Sequence, residues 1–260
     1  YHCKYCVSGN MNYKAFRKRN YKNIVDEMQF LKENYGITDI IFYDDCFFYN
    51  LQTVHRDIFD FCSMLTKREL NMTWQMEIRC DLFENISDED SILLYQAGCR
   101  QINLGIEKTS IERLEKLGKD IATLGGVAEK IKHLKSISKI KIAGTFILGG
   151  IGETKNSIEE MIEESTKMNL DFAHYNPLFI YPGTPLYQEY FQNKEDWVEY
   201  ILEDEEPWGE VVYENEHVNK EELLKLVEKA YEKFYSNSIY KDTVMVKDRF
   251  NLNRGRNNED

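Results

Sequence analysis

The 260-residue sequence lacks any apolar run approaching the roughly 18 residues of a membrane-spanning helix. It also lacks an excess of basic charge. Thirty-three Lys and Arg stand against 45 Asp and Glu, giving a net charge of −12 and a pI near 5.0, which argues against the basic footprint of a DNA-binding surface. No secretory leader is visible, and no low-complexity linker or repeat interrupts the chain beyond an alternation of short and long segments. The C-x-x-C of Cys3-Lys4-Tyr5-Cys6 is not followed by a second one, as a zinc ribbon requires. The other cysteines, Cys46, Cys62, Cys80 and Cys99, are scattered and show neither metal spacing nor a disulfide framework. Reduced thiols in a cytoplasmic protein are the expectation. What is present is a hydrophobic fraction of 42%, with 17 tyrosines, enough for a core within one large domain or two small ones.

Apolar periodicity orders that material. Asn20–Tyr35 carries Ile24, Met28 and Leu31 at helical spacing and stops at Gly36. Asp39–Tyr43 reads as a buried strand, Leu51–Lys67 as a helix and Met72–Ile78 as a strand. A capping box, Ser87 to Asp90, opens a short helix closed by Gly98. Gln101–Leu104 is a strand, with helices expected over Ser110–Leu117 and Leu124–Ser136. Ile140–Leu148 is the most apolar strand, Ser157–Met168 a helix and Phe172–Tyr181 the last strand. Strand and helix alternating in this way imply a parallel sheet with right-handed crossovers. Polar residues recur at the C-terminal strand ends, where barrel active sites are built, so a partial (β/α)6 barrel is expected over an open doubly wound sheet. Its first strand is expected upstream of Tyr1, leaving five strands here. After Pro185 the pattern breaks: Asn193–Glu216 has no clear period, Asn219 and Glu222 form a capping box, and the following helix presents Leu223, Leu224, Val227, Tyr231 and Phe234 as an apolar stripe. The organisation expected is a barrel over 1–190, an acidic helical extension over 191–250 that packs on it, and a disordered polar tail over 251–260.

Two thiols three apart on one loop suit a single metal centre, and thiolates select zinc or iron–sulfur clusters. Tyr1-His2-Cys3-Lys4-Tyr5-Cys6 resembles the last part of the C-x-x-x-C-x-aromatic-C motif of radical S-adenosylmethionine enzymes. Cys3 and Cys6 would be its second and third cysteines, with the first expected two residues before Tyr1. The resemblance covers roughly Tyr1–Tyr187. It implies a [4Fe–4S] cluster on three thiolates with one iron open to S-adenosylmethionine, whose cleavage yields a 5′-deoxyadenosyl radical that takes hydrogen from a small-molecule substrate. A one-electron reductant such as flavodoxin or ferredoxin is implied as partner.

The same resemblance assigns cofactor roles residue by residue. Tyr5 would lie against the adenine. Asp44 and Asp45 stand where the family presents polar groups to the methionine amine; the alternative is a pair of turn or capping aspartates. Arg79 would pair with the cofactor carboxylate through its planar fork; the alternative is an ion pair on the barrel rim. Gly105-Ile106-Glu107 resembles the fourth-strand G-x-E, which would place Glu107 at the ribose or methionine moiety; the alternative is a plain helix cap. Phe146 to Thr154 resembles the fifth-strand G-x-I-x-G-x-x-E, with Phe146 in the first glycine position. Leu148, Gly149 and Gly150 would offer the adenine an apolar surface and close backbone. Tyr175, Tyr181 and His174 are more simply core or rim residues.

Tyr181-Pro182-Gly183-Thr184-Pro185-Leu186 is similar to the P-G-T-x-L ending of radical enzymes that follow a cobalamin-binding domain. Cobalamin bound through such an N-terminal domain, and methyl transfer or a related rearrangement, are the implied extension. The ending also occurs in tRNA methylthiotransferases, but their basic C-terminal RNA-binding barrel has no counterpart in this acidic, helical C-terminus. A non-catalytic zinc or iron–sulfur protein is the remaining alternative.

Overall fold

Five parallel strands in the order β1-β2-β3-β4-β5 form a curled half-barrel, with helices packed on its outer face. The structure is a computed structural model that describes residues 3–10, 17–118, 124–190 and 211–236. The elements before the sheet are α1 (Val7–Asn10) and α2 (Tyr21–Tyr35). The Asn20 side chain accepts from Lys22 N at the start of α2, and Gly36, with φ of 67°, ends it in the left-handed conformation.

β1 (Asp39–Ile41) is shorter and more exposed than the buried strand expected over Asp39–Tyr43. The reason lies in its pairing with β2 (Thr73–Arg79). Phe42 N donates to Gln75 O and Phe47 N to Glu77 O, both at 3.0 Å. Four residues, Tyr43–Cys46, are therefore expelled from the ladder between two bonds that lie two residues apart on β2. The rings that follow hold the excursion down. Phe42, Phe47, Phe61 and Trp74 lie with centroids 4.4 to 6.2 Å apart, and Phe48 is fully buried.

α3 (Val54–Lys67) packs beside α2 and sets Phe61 against Trp74 of β2, and α4 (Cys80–Glu84) follows that strand directly. α5 (Asp88–Gln96) opens with the Ser87–Asp90 capping box. β3 (Cys99–Glu107) is longer than the Gln101–Leu104 core expected, because its polar positions face the open concave side and hide its length in the hydropathy pattern. α6 (Ile111–Lys116), α7 (Leu124–Ile137), β4 (Lys141–Leu148), α8 (Lys155–Thr166) and β5 (Phe172–Pro177) complete the alternation.

The strand expected over Phe172–Tyr181 is two. Leu178 N turns to donate to Leu148 O at 2.8 Å, and β6 (Phe179–Ile180) leaves the barrel to pair antiparallel with β7 (Val211–Val212). α9 (Pro185–Tyr190) lies between them in sequence. The last described element, α10 (Lys220–Tyr235), begins at the Asn219–Glu222 capping box and packs on β5 and α8. Tyr235 Oη accepts from Ala173 N at 3.0 Å and donates to Ala173 O at 3.1 Å; Tyr231 Oη accepts from Tyr175 N at 3.1 Å. Phenols thus satisfy the outer edge of β5 where a further strand would otherwise pair. The expected tail over 251–260 lies outside the described residues.

Candidate active site

Strand alternation sorts the barrel's two faces. Trp74, Met76 and Ile78 of β2 and Ile102, Leu104 and Ile106 of β3 are buried toward the helices. Their neighbours Gln75, Glu77 and Arg79, and Gln101, Asn103 and Glu107, share the concave side. Gln101 Nε2 donates to Asn103 Oδ1 at 2.8 Å along it. Burial, then the charges of Asp45 and Glu107, push the Glu77 carboxyl above its ordinary value. Asp45, Glu77 and Glu107 therefore make one acidic region from three strand ends.

The cysteine loop is strapped across the ends of α6 and α9. Lys4 N donates to Leu117 O at 2.8 Å, and Leu186 N donates to Lys4 O at 3.0 Å. Cys6 N donates to Cys3 O at 3.2 Å, closing a turn between a buried Cys3 and a half-buried Cys6. Between them Tyr5 packs on the cluster of Leu117, Ile147, Leu178, Ile180 and Leu186. Its hydroxyl donates to the Glu107 carboxylate. Burial, then the charges of Glu107, Cys3 and Cys6, hold that phenol far above the usual tyrosine value, so it stays a neutral donor.

Glu107 reaches this position through strain. It has φ of 65°, a left-handed conformation that costs a non-glycine residue roughly 1–3 kcal/mol. The register with β4 jumps at the same place, from Gly105 opposite Thr145 to Glu107 opposite Phe146. The bulge separates two neighbouring side chains. Glu107 meets Tyr5 of the cysteine loop, while Lys108 enters the β4–α8 turn. There Lys108 Nζ donates to Glu153 Oε2 at 2.6 Å, to Ile147 O at 2.5 Å and to Gly149 O at 3.4 Å. All three ammonium protons are used.

A family model, the Radical SAM superfamily, matches residues 1–165. The chain belongs to the radical SAM superfamily. An uncharacterized methyltransferase from Pyrococcus horikoshii is 27% identical over 254 residues, 96% of this chain and 51% of that protein. The anaerobic magnesium-protoporphyrin IX monomethyl ester cyclase of Rubrivivax gelatinosus is 26% identical over 249 residues, 95% of this chain and 42% of that one. The chain thus spans about half the length of the curated relatives it matches. In fold it is similar to the methyltransferase TsrM from Kitasatospora setae, solved with cobalamin and a [4Fe–4S] cluster, with a TM-score of 0.62 and 19% identity over 73% of this chain and 37% of that one. It is likewise similar to the cobalamin-dependent radical enzyme OxsB, with a TM-score of 0.63 and 16% identity over 90% of this chain and 39% of that one.

Radical SAM enzymes work with a [4Fe–4S] cluster and S-adenosylmethionine, and the cysteine loop fits part of that requirement. Two soft thiols sit on a pinned turn beside a neutral phenol donor. Among the described residues no group of three or more Cys, His, Asp or Glu side chains converges on a metal position, so a third thiolate would come from outside them.

The other candidates are placed as follows. Asp44 and Asp45 are exposed on the expelled segment at the mouth of β1. Arg79 directs its fork at Asp81, Nε to Oδ1 at 2.9 Å and Nη2 to Oδ2 at 3.0 Å, which is the rim ion pair left open above. Leu148 is fully buried in the core under the helices; its neighbour Ile147 belongs instead to the cluster on which Tyr5 packs. Gly149 has φ of 69°, and a Cβ there would lie 2.6 Å from Leu223 Cδ2. A Cβ on Gly150 would lie 3.3 Å from Glu153 Oε2. Phe146 stacks on Tyr175 at 5.3 Å, and Tyr175 shares a 2.6 Å hydrogen bond with Ser165, so both belong to the core. Ile147, Glu77, Lys108 and Asn215 carry no motif that marks them in the sequence.

Proposed function

We propose that residues 1–190 are the catalytic barrel of a radical SAM enzyme acting on a small-molecule substrate, with residues 191–250 as an extension that braces it. The single observation that carries this reading is the strapped Cys3–Tyr5–Cys6 loop, hydrogen-bonded through Tyr5 to a strained Glu107. When bound, the cluster and its electron would split S-adenosylmethionine into methionine and a 5′-deoxyadenosyl radical that abstracts hydrogen from the substrate.

The chain's own residues bind, orient and exclude water. Cys3 and Cys6 supply two of the cluster's ligands. Tyr5 and Ile147 offer apolar surface to the adenine, and the backbone from Leu148 through Gly149 and Gly150 offers close approach and amide groups. Asp44 and Asp45 receive the cofactor's ammonium, and Glu107 accepts from ribose hydroxyls or the ammonium. Arg79 answers the cofactor carboxylate only by sharing its guanidinium with Asp81. The substrate enters the polar concave side over Gln75, Glu77 and Asn103.

The relatives and fold neighbours named above support a narrower form, in which a cobalamin-binding domain N-terminal to the barrel assists methyl transfer. A flavodoxin or ferredoxin is the proposed reductant and the cytoplasm the proposed compartment; no helix among the described residues is long and apolar enough to cross a membrane. A tRNA methylthiotransferase-like activity is the less favoured reading, because the C-terminal extension is acidic and helical. The test is to reconstitute the full-length protein anaerobically with iron and sulfide, reduce it, add S-adenosylmethionine and chromatograph the products. Appearance of 5′-deoxyadenosine supports the reading. Bound zinc with S-adenosylmethionine left intact would replace it with a structural metal site.

A further inference from the structure

After β7 the chain returns over the turn that joins β4 to α8. Tyr213 N donates to Leu178 O at 2.7 Å, and two residues later Asn215 reaches the turn. Its side chain is fully used. Nδ2 donates to Gly150 O at 2.7 Å and Glu153 O at 3.1 Å, while Oδ1 accepts from His217 N at 2.8 Å and Val218 N at 3.0 Å. Two donors and two acceptor positions are all that an amide has, so only this orientation satisfies every partner. The same turn is closed internally by Glu153 N donating to Gly150 O at 3.1 Å. It is held from beneath by the buried Lys108, and Leu223 of α10 covers Gly149.

We infer that Asn215 is a positioning residue for the cofactor turn, so that the C-terminal extension sets the geometry of Gly149–Glu153 and with it the affinity for S-adenosylmethionine. This rests on the radical SAM reading above. The extension has no need to touch the cofactor. It fixes two carbonyls of the turn from outside, and Lys108 fixes a third from inside. Between them the Gly149 and Gly150 backbone cannot rotate away from the strand end. Three glycines within Gly149–Gly152 leave the turn little stiffness of its own.

Asn215→Asp separates positioning from folding. The aspartate retains an oxygen for His217 N and Val218 N, but sets a second oxygen against two carbonyls. Two readouts are measured: the dissociation constant for S-adenosylmethionine on the full-length, cluster-loaded protein by equilibrium dialysis, and amide exchange of residues 149–154 in the metal-free protein. The expected result is affinity weakened about tenfold, as for partners that orient a site from behind, with faster exchange confined to the turn and an unchanged iron content. Unchanged affinity in the folded variant, or weakened affinity with unchanged exchange of the turn, overturns the inference. Should Asn215→Asp not fold, Asn215→Ala is judged on the same two readouts. A wild-type protein that neither binds nor cleaves S-adenosylmethionine defeats the radical reading instead; exchange of the turn then decides alone whether Asn215 grips it.

Discussion

Lys108 and Glu153 form an ion pair at 2.6 Å in which the side chains are 1% and 2% exposed. Forty-five residues apart, they join the bulged end of β3 to the turn after β4. Burial pushes the Lys108 ammonium below its ordinary value and Glu153 opposes that push. Arg113 is a second cation beside the carboxylate, with Nε 3.8 Å from Oε1.

Breaking this pair on one side is expected to cost more than removing it. Lys108→Met leaves a buried carboxylate with poor compensation and should lower unfolding stability by about 3–5 kcal/mol. The double variant Lys108→Met/Glu153→Gln should recover much of that loss. Urea denaturation of the three proteins measures both, and equal stabilities of the single and double variants would contradict the pairing.

Phenols close the edge of β5, so removing them should expose it energetically. Tyr235→Phe and Tyr231→Phe each leave buried backbone groups without partners, for about 1–3 kcal/mol. Tyr235→Phe should be the costlier, since that hydroxyl both accepts from and donates to Ala173. Thermal and urea unfolding test the order.

Glu77 should oppose folding at neutral pH. Its carboxyl is raised above the ordinary 4.5 by burial, Asp45 and Glu107. A folded-state value above the unfolded one means that stability is fully present below the unfolded value and is lost as pH rises through the folded one. Glu77→Gln should therefore melt higher than wild type at pH 7 and match it near pH 4. A difference in Tm independent of pH would contradict the crowding of the three acids.

The charge of Glu107 is predicted to serve binding more than stability. Glu107→Gln keeps the volume and a hydrogen bond to Tyr5 but removes a charge-assisted acceptor. Affinity for S-adenosylmethionine should fall at least about tenfold, with Tm little changed. Equilibrium dialysis beside thermal melting separates the two effects.

Which of these relationships could be read from the chain depends on how local they are. The capping boxes at Ser87–Asp90 and Asn219–Glu222 are closed within four residues, and both are visible as sequence. The alternation of strand and helix is equally local, and it anticipated the parallel half-barrel. β4 is apolar on both faces, so hydropathy could not say that Leu148 joins the main core and Ile147 the cluster on which Tyr5 packs. β6 owes its departure from the barrel to β7, some thirty residues on, a partner no window contains. Nothing local marks Lys108 or Asn215, because their partners lie 45 and 65 residues away. Arg79 shows the opposite limit: a bidentate partner two residues distant competes directly with the ligand that resemblance assigned to it.

The most direct test of the central claim is the full-length protein against its Cys6→Ala variant, each reconstituted anaerobically, assayed for iron and sulfide, reduced and given S-adenosylmethionine. The wild type should hold a [4Fe–4S] cluster and form 5′-deoxyadenosine, and Cys6→Ala should lose both. A wild type that holds zinc and forms no 5′-deoxyadenosine, or a Cys6→Ala variant that still forms it, would contradict the account.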